Sequence, residues 1–384
     1  MTKIISLDVL IVYNGKLALS ASDKSANVNT PFPADSPNEE YNNVYAYFLK
    51  KCHQSGLIAG FTTSTDIIGP GFCRSFWQLI DTDWVKINSP CYSTLIFDKF
   101  SPTKTKGKLL RQLLFSSTKI KPFNDPDLFN LFFDKQKTYE KLPRHSIPTV
   151  SLKNKTLSGL KKSRLALAKL TQAHPFSADF SSDIIIKDRF GAGGRRVYKF
   201  KPNKPQDILD IFSKKTHVSY IIQPFAKFNR GFSYNNRSTS TDIRLIYLND
   251  KIVQSYIRTA KSGEFRCNEH RGGLLTYLSL NELPQTLIAK SNQIAKILNK
   301  KHSLFTLDFL ISNAGNIYFL EGNTGPGLDW DTSRQKNEVE AKKLIDLIVQ
   351  ELTVRVKKKL VNQQLSFISS HIQNTSHPHY LIQN

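Results

Sequence analysis

The stretch Thr306-Leu-Asp308-Phe-Leu-Ile-Ser-Asn313-Ala-Gly315-Asn316-Ile-Tyr-Phe-Leu-Glu321-Gly-Asn323 narrows the folds open to this chain more than any other. Asn313-Ala-Gly-Asn316 is turn chemistry between two apolar runs, which predicts an antiparallel hairpin. Centring the turn on Ala314–Gly315 pairs Asn313 with Asn316 and sets Asp308 opposite Glu321. Side chains alternate along a strand, so Asn323 shares the face of Glu321. Two carboxylates facing each other across a sheet repel unless something compensates them. The flanking Leu307, Phe309, Leu310, Phe319 and Leu320 favour a packed sheet over a solvated acidic face. A hard divalent cation is the natural compensation, and carboxylates plus a carboxamide suit Mg²⁺. Asp308, Glu321 and Asn323 are therefore the expected metal ligands, for Mg²⁺ or for Mn²⁺ in its place.

Upstream, Ile184-Ile-Ile-Lys187 reads as a buried strand that delivers a lysine into Asp188-Arg-Phe-Gly191-Ala-Gly193-Gly194. Glycines reach positive φ and let successive N–H groups approach phosphate oxygens, and a neighbouring lysine supplies charge to the same group. No Lys-Ser/Thr follows the glycines, so this is not a Walker A loop. A glycine-rich hairpin turn with an exposed lysine would carry the same pattern. Between the two segments lies Thr241–Val253, a second hairpin with an Asn249-Asp250 turn. It is followed by Arg258-Thr-Ala-Lys261-Ser-Gly-Glu-Phe-Arg266-Cys267-Asn268-Glu-His-Arg271-Gly-Gly273. Cations gathered in a glycine-punctuated loop are expected to clamp the charge of a transferring phosphoryl group.

Before these segments the chain reads as a small α/β unit: strand Leu7–Tyr13, helix Tyr41–Cys52 and strand Leu57–Thr62, the order of a parallel βαβ start. The expected division is an N-terminal domain over 1–120, a ligand-gripping domain over 121–353 and a polar tail over 354–384. Lys104–Lys121 reads as a basic linker between the first two. Asp125-Pro126 reads as an N-cap followed by a proline at the first helical position. The net charge of +23 draws nucleotides, acidic peptides or nucleic acid without choosing among them. The basic stretches lack interleaved aromatics, so a solvated face is the plainer reading and an acidic or RNA-associated partner stays open. No apolar run is long enough to span a membrane and no signal-peptide core opens the chain, which makes the cytoplasm the expected compartment. Cys52, Cys73, Cys91 and Cys267 form no C-x-x-C pair and are expected to be reduced, structural thiols.

In their order and spacing these segments resemble the ATP-grasp ligases, especially the RimK-type ribosomal-protein glutamate ligases and their glutathione-synthetase-like relatives. The resemblance runs from Asn124 to Trp330. It is strongest from Asp242-Ile-Arg244 through Ala260–Gly273 and in Glu321-Gly-Asn323-Thr-Gly-Pro-Gly327. It implies an α+β, ATP-grasp fold, two subdomains gripping ATP, behind an N-terminal α/β domain. By it, Lys135 and Lys187 are the ATP-phosphate lysines, and Gly191, Gly193 and Gly194 form the phosphate loop. Gln223-Pro224-Phe225 is the hinge whose backbone meets adenine, and Asp242 sits near the ribose. Arg266, Cys267 and Asn268 line the triphosphate, while Asp308, Glu321 and Asn323 hold the metal.

The implied reaction joins a small-molecule or peptide carboxylate to an amine through an acyl-phosphate. Lys187 and Arg266 would neutralise phosphate oxygens, and Arg271 would grip a substrate carboxylate with two parallel hydrogen bonds. Two departures stand out: Pro224 replaces the usual acidic hinge residue, and Arg196 replaces the last glycine of the phosphate loop. A kinase acting on a hydroxyl and a non-catalytic nucleotide- or RNA-associated protein are the rival readings. Neither the substrates nor the oligomeric state is written in the sequence.

Overall fold

The structure is a computed structural model and describes residues 3–25, 28–102, 104–328 and 334–375. Trp330 and residues 376–384 of the expected tail lie outside the described residues. The chain divides into two compact units, residues 1–122 with 328–384, and residues 123–327.

In the first unit, β1 (Val9–Tyr13) is an unbroken buried run, the pattern of a strand covered on both faces. Helix α1 (Tyr41–Gln54) buries Val44, Tyr45, Phe48, Leu49 and Cys52 along one stripe. It leads into β2 (Ala59–Thr63), which pairs parallel to β1 with Val9 opposite Ala59, as the βαβ reading expects. Strands β3 (Phe76–Ile80) and β4 (Asp83–Ile87) extend one side of this sheet antiparallel, and β5 (Leu95–Lys99) lies parallel on the other side. The basic segment read as a linker contains a helix, α2 (Thr105–Leu114). Its apolar stripe is thin: Leu114 is buried and Leu110 only partly so, among Lys104, Lys106 and Lys108. The four cysteines are free and buried. The last helix of the unit, α8 (Gln335–Thr375), continues past position 353 without a break. Among the described residues, no helix is long and apolar enough to cross a membrane.

The second unit opens with α3 (Pro126–Phe133), capped by the Asp125 carboxylate, which accepts from the N–H of Asp127 at 2.8 Å. A separate helix, α4 (Lys135–Lys141), follows. Two antiparallel sheets build the rest. The smaller contains β6 (Val150–Leu152), β7 (Phe180–Asp188), β8 (Val197–Phe200) and β9 (Tyr220–Ala226), in the order β6-β9-β7-β8. Helices α5 (Leu157–Gln172) and α6 (Pro205–Lys214) supply its core through Leu160, Leu167, Ile208 and Phe212. The larger contains β10 (Thr241–Leu248), β11 (Lys251–Thr259), β12 (Leu274–Tyr277), β13 (Leu304–Ile311) and β14 (Ile317–Asn323), in the order β12-β11-β10-β13-β14. One face packs on α3 and α7 (Gln285–Leu298), burying Phe132, Leu287 and Ile294 against Leu245, Leu307 and Phe319. Each such side chain contributes roughly 1.5–3 kcal/mol on burial. A Cβ at Gly322 would lie 2.4 Å from the Phe132 ring, so the residue between Glu321 and Asn323 must be glycine for α3 to seat.

The hairpin turn is one residue longer than a centre on Ala314–Gly315 implies. The Ser312 N–H donates to the Asn316 carbonyl and Gly315 adopts φ 85°, so residues 313–315 form the loop instead of two residues. Ile311, Leu310 and Phe309 therefore pair with Ile317, Tyr318 and Phe319. A bulge between Asp308 and Phe309 absorbs the slip, and Asp308 does face Glu321. Pro224 occupies an inner strand, where a missing N–H is usually excluded. It is tolerated because pairing to β6 ends at Ile222 and the β7 ladder is irregular just beyond Ile184, the partner of Pro224.

Candidate active site

Both sheets of the second unit turn their other faces to one cleft of about 890 Å³ out to its open mouth. From the smaller sheet come Ile185, Lys187, Val197, Gln223 and Phe225. Ile185 and Lys187 are two apart on β7, and Gln223 lies opposite Ile185, so strand alternation places them side by side. From the larger sheet come Asp242, Arg258, Asp308, Leu310 and Glu321. Asp242 faces Arg258 and Leu310 across its strands, and Asp308 faces Glu321.

The lysine end is assembled by a contact that spans 55 residues. The Asp134 carboxylate caps α4 by accepting from Gln136 N–H at 3.0 Å, and it also takes both Arg189 Nε and Nη2 at 2.6 Å. Burial alone would raise the Asp134 carboxyl, but the Arg189 guanidinium and the helix N–H groups hold it below its ordinary value. The pair fixes the start of α4 to the glycine loop. Lys135 thereby donates to the Gly191 carbonyl and stands 3.5 Å from Glu321. Lys187 is 9% exposed. Its burial pushes its ammonium down to about 8 against the pull of Glu321, with a smaller push in the same direction from Lys135.

The loop glycines have separate reasons. Gly193 and Gly194 lie at φ 64° and 65°, and a Cβ on Gly194 would come 2.3 Å from Asn268 Oδ1. The glycine loop therefore rests directly on Asn268. Arg196, where a glycine was expected, also adopts positive φ, 56°, and its guanidinium binds the Asp188 carboxylate at 2.7 Å.

On the larger sheet the charges are compensated internally. Arg244 binds Asp308 through Nε at 2.7 Å and Nη2 at 2.6 Å, while Arg258 binds Asp242 at 2.7 Å and Asp308 at 2.8 Å. Burial raises both carboxyls. At Asp308 the two guanidiniums outweigh it and hold the group below the usual range; at Asp242 one guanidinium does not, and the group stays raised. Arg258 is thus a strand residue spent on carboxylates, not a member of the loop clamp that the sequence suggested. Of that clamp, Arg266 reaches the cleft wall with Cys267 and Asn268. Arg266 is paired with Glu264, whose carboxyl this hydrogen bond, against some desolvation, pulls down to about 2. Lys261 and Arg271 are exposed. Arg271, Gly193 and Asn323 do not line the cleft, whereas Lys135, Lys187, Gly191, Gly194, Gln223, Pro224, Phe225, Asp242, Asp308 and Glu321 do.

The donor set accommodates a hard cation without waiting for one. Among the described residues no three His, Cys, Asp or Glu side chains gather as a metal cluster. Asp308 accepts three hydrogen bonds, which leaves one of its roughly four lone-pair positions. Glu321 is partly exposed and, among the described residues, forms an ion pair with Lys135, and Asn323 follows on the same strand face. Oxygen donors of this kind fit Mg²⁺ completed by phosphate oxygens.

Residues 134–348 match the profile of the RimK-like ATP-grasp domain, more than half of the chain. The chain belongs to the RimK-like ATP-grasp family. It is 26% identical over 198 residues to a probable alpha-L-glutamate ligase 2 of Hahella chejuensis, a match covering 49% of this chain and 60% of that one. The RimK-like segment thus accounts for well under the full length of the curated relative. Among solved structures, D-cycloserine synthetase DcsG superposes with a TM-score of 0.53 at 12% identity, covering 88% of this chain and 99% of that one. The D-alanyl-alanine synthetase A of Vibrio cholerae does so with 0.53 at 15% identity, covering 92% and 99%. At such identities the likeness establishes the ATP-grasp fold, including the mixed α and β architecture read from the sequence.

Proposed function

We propose that this cleft binds ATP with Mg²⁺ and that the protein joins a carboxylate to an amine through an acyl-phosphate. The observation that carries this reading is the meeting of Lys135, Lys187 and Glu321 in one cleft between two sheets, beside an apolar wall of Ile185, Phe225, Leu310 and Leu320. A buried ammonium shifted towards neutrality is a group awaiting an anion. The homologous ligase and the ATP-grasp neighbours point to the same class of chemistry.

Ile185, Phe225, Leu310 and Leu320 enclose the base, with Asp242 facing the sugar. Lys135, Lys187 and the N–H groups of the glycine loop hold the phosphates, and Arg266 adds charge at the transferring group. Asp308, Glu321 and Asn323 would hold Mg²⁺, which supplies charge neutralisation across the phosphate oxygens. A substrate carboxylate oxygen bonds to the γ-phosphorus as the bond to ADP breaks. The amine nitrogen then bonds to the acyl carbon, phosphate leaves, and the amine loses a proton. Arg271, exposed at the rim of the Arg266 loop, is assigned to the incoming carboxylate. Positioning and electrostatics carry such transfers, and no protein nucleophile is needed.

The test is ADP and phosphate release with Mg-ATP across amino acids, amino-acid pairs and acidic peptides, with hydroxylamine added to trap an acyl-phosphate. Hydroxamate formation that requires a carboxylate supports the ligase; a stable phosphorylated product selects a hydroxyl kinase instead. Glu321→Gln is expected to lower turnover at least about a hundredfold with unchanged circular dichroism. Full turnover in that variant would sink the assignment of the metal end.

A further inference from the structure

The outer layer of the smaller sheet, on the face turned away from the cleft, concentrates positive charge. Helices α5 and α6 bury Leu160, Leu167, Ile208 and Phe212 against that face and turn their polar sides to solvent. Helix α5 holds Lys161, Lys162, Arg164 and Lys169 and no acidic residue. The three lysines are exposed, and Arg164 is partly buried. Two helical turns separate Lys162 from Lys169, so both stand on one side of α5, about 10 Å apart along its axis. That spacing is comparable to the screening length of about 8–10 Å in 0.1–0.15 M salt, so their fields add. The charge continues beyond the helix. The Lys155 ammonium donates to the Thr216 carbonyl and draws the segment before α5 against the end of α6. Exposed Lys153 thereby comes beside the loop of exposed Lys214 and Lys215. Among the described residues, none of Lys153, Lys161, Lys162, Lys169, Lys214 and Lys215 is paired with a carboxylate. The acids of this layer, Asp207 and Asp210, both lie on α6, and Asp210 accepts from Gln206 at 2.9 Å.

Like charges this close repel one another, and a polyanion laid across them gains from all of them at once. The composition of the face narrows which polyanion fits. Its exposed cations are lysines, point charges that suit single phosphate oxygens; carboxylate docking favours the guanidinium fork, and Arg164 is the one arginine of α5. Leu165, 62% exposed, is the single large apolar side chain between Lys161 and Lys169 that faces out, too little to sink the helix into a lipid surface. Helix α5 has no aromatic residue on which a base could stack, so contact follows the backbone and not the sequence. We propose that the outer face of α5, with the end of α6 beside it, binds the phosphate backbone of a nucleic acid without reading its bases. This surface stands apart from the cleft, and the proposal does not depend on the ATP reading.

Fluorescence anisotropy of the full chain with a labelled single-stranded RNA and a labelled DNA duplex tests it, from about 50 to 200 mM salt, with and without excess Mg-ADP to compete for the cleft. Binding is expected to survive the ADP. Engagement of all six exposed lysines predicts a slope of log affinity against log salt of about −4 for the RNA. Replacing Lys161, Lys162 and Lys169 together by Glu should weaken binding at least about ten-fold at the lower salt and flatten that slope by about 2. Replacing Lys104, Lys106 and Lys119 by Glu changes the net charge equally and should leave the affinity within about three-fold. Binding of either nucleic acid with this pattern supports the face, and the tighter of the two names its source. Equal losses in the two triple variants would reduce the effect to net charge and overturn the proposal. No binding at the lower salt, displacement by Mg-ADP, or tighter binding to polyglutamate or to vesicles of phosphatidylserine in phosphatidylcholine would overturn it as well. If the first triple variant does not fold, Gln at the same three exposed positions decides on the same criteria.

Discussion

The two sheets that face the cleft handle buried charge in opposite ways. The larger sheet brings two aspartates and two arginines into one network, Asp242, Asp308, Arg244 and Arg258, in which each charge meets an opposite one within 3 Å. The smaller sheet buries one ammonium, Lys187, with no ion pair to a carboxylate among the described residues; Glu321 acts on it from across the cleft. One side is therefore electrostatically complete before any ligand arrives, and the other is left unbalanced. An unbalanced charge costs stability and gains its compensation only when an anion binds. Removing a cation from each sheet should accordingly have effects of opposite sign.

The larger effect is expected on the complete side. Arg258→Met leaves Asp242 without its partner and Asp308 with Arg244 alone, both still buried. Breaking one member of a buried ion network typically costs about 3–5 kcal/mol. Urea unfolding should show a loss of that size, or failure to accumulate folded protein. A change below about 1 kcal/mol would mean that the network is not the structural element described here.

Lys187→Met should act the other way. The ammonium is shifted from its ordinary 10.5 to about 8, so below pH 8 the folded protein carries a charge that it would rather lose. Between about 8 and 10.5 the unfolded chain binds more protons at this residue than the folded one, and stability rises with pH. The penalty is fully present below pH 8 and gone above about 10.5. Removing it should stabilise the ligand-free protein by at most about 3 kcal/mol at pH 7. The gap between variant and wild type should close over the same pH window, in parallel urea titrations. The variant should also lose the rise in melting temperature that ATP gives the wild type. A variant less stable than wild type at every pH would erase the contrast between the sheets.

Much of this was legible in the sequence because it is local. The Asp125-Pro126 cap, the βαβ start and the hairpin each follow from residues within one turn or one strand pair. The facing of Asp308 and Glu321 was read correctly, though by way of a turn that is in fact one residue longer and a bulge that restores the register. What the sequence could not show are partners far apart in the chain. Asp134 and Arg189, which set the distance between the two lysines, look like an ordinary cap and an ordinary loop arginine. The opposition of Asp308 and Glu321 suggested a cation as its compensation, yet Arg244 and Arg258 already supply much of it. Arg258 was grouped with loop cations because nothing in the sequence marks Thr259 as the end of its strand. The Thr149 hydroxyl, 74 residues from the Gln223 amide that it meets, carried no signal at all. Helix α2 escaped notice because its apolar stripe is one side chain wide in a field of lysines.

The smallest effect is expected at Arg196, where the resemblance led to the expectation of a glycine. Its left-handed backbone, φ 56°, costs a non-glycine residue about 1–2 kcal/mol. Against this stand the ion pair with Asp188 and the lower entropy of an unfolded chain without the glycine. The Arg196 side chain is 43% exposed, so the pair is worth well under about 1 kcal/mol. Glycine in an unfolded chain costs a further 0.5–1 kcal/mol, roughly. The contributions nearly cancel, and Arg196→Gly should unfold within about 1 kcal/mol of wild type. ATP affinity then separates two uses of the residue. If Arg196 serves only to hold the loop against Asp188, the variant binds ATP as wild type does; a loss of about ten-fold or more would place its guanidinium on the phosphates. The former outcome would confine the charge of the smaller sheet's phosphate end to Lys187 and its neighbour Lys135, and keep the contrast with the larger sheet intact.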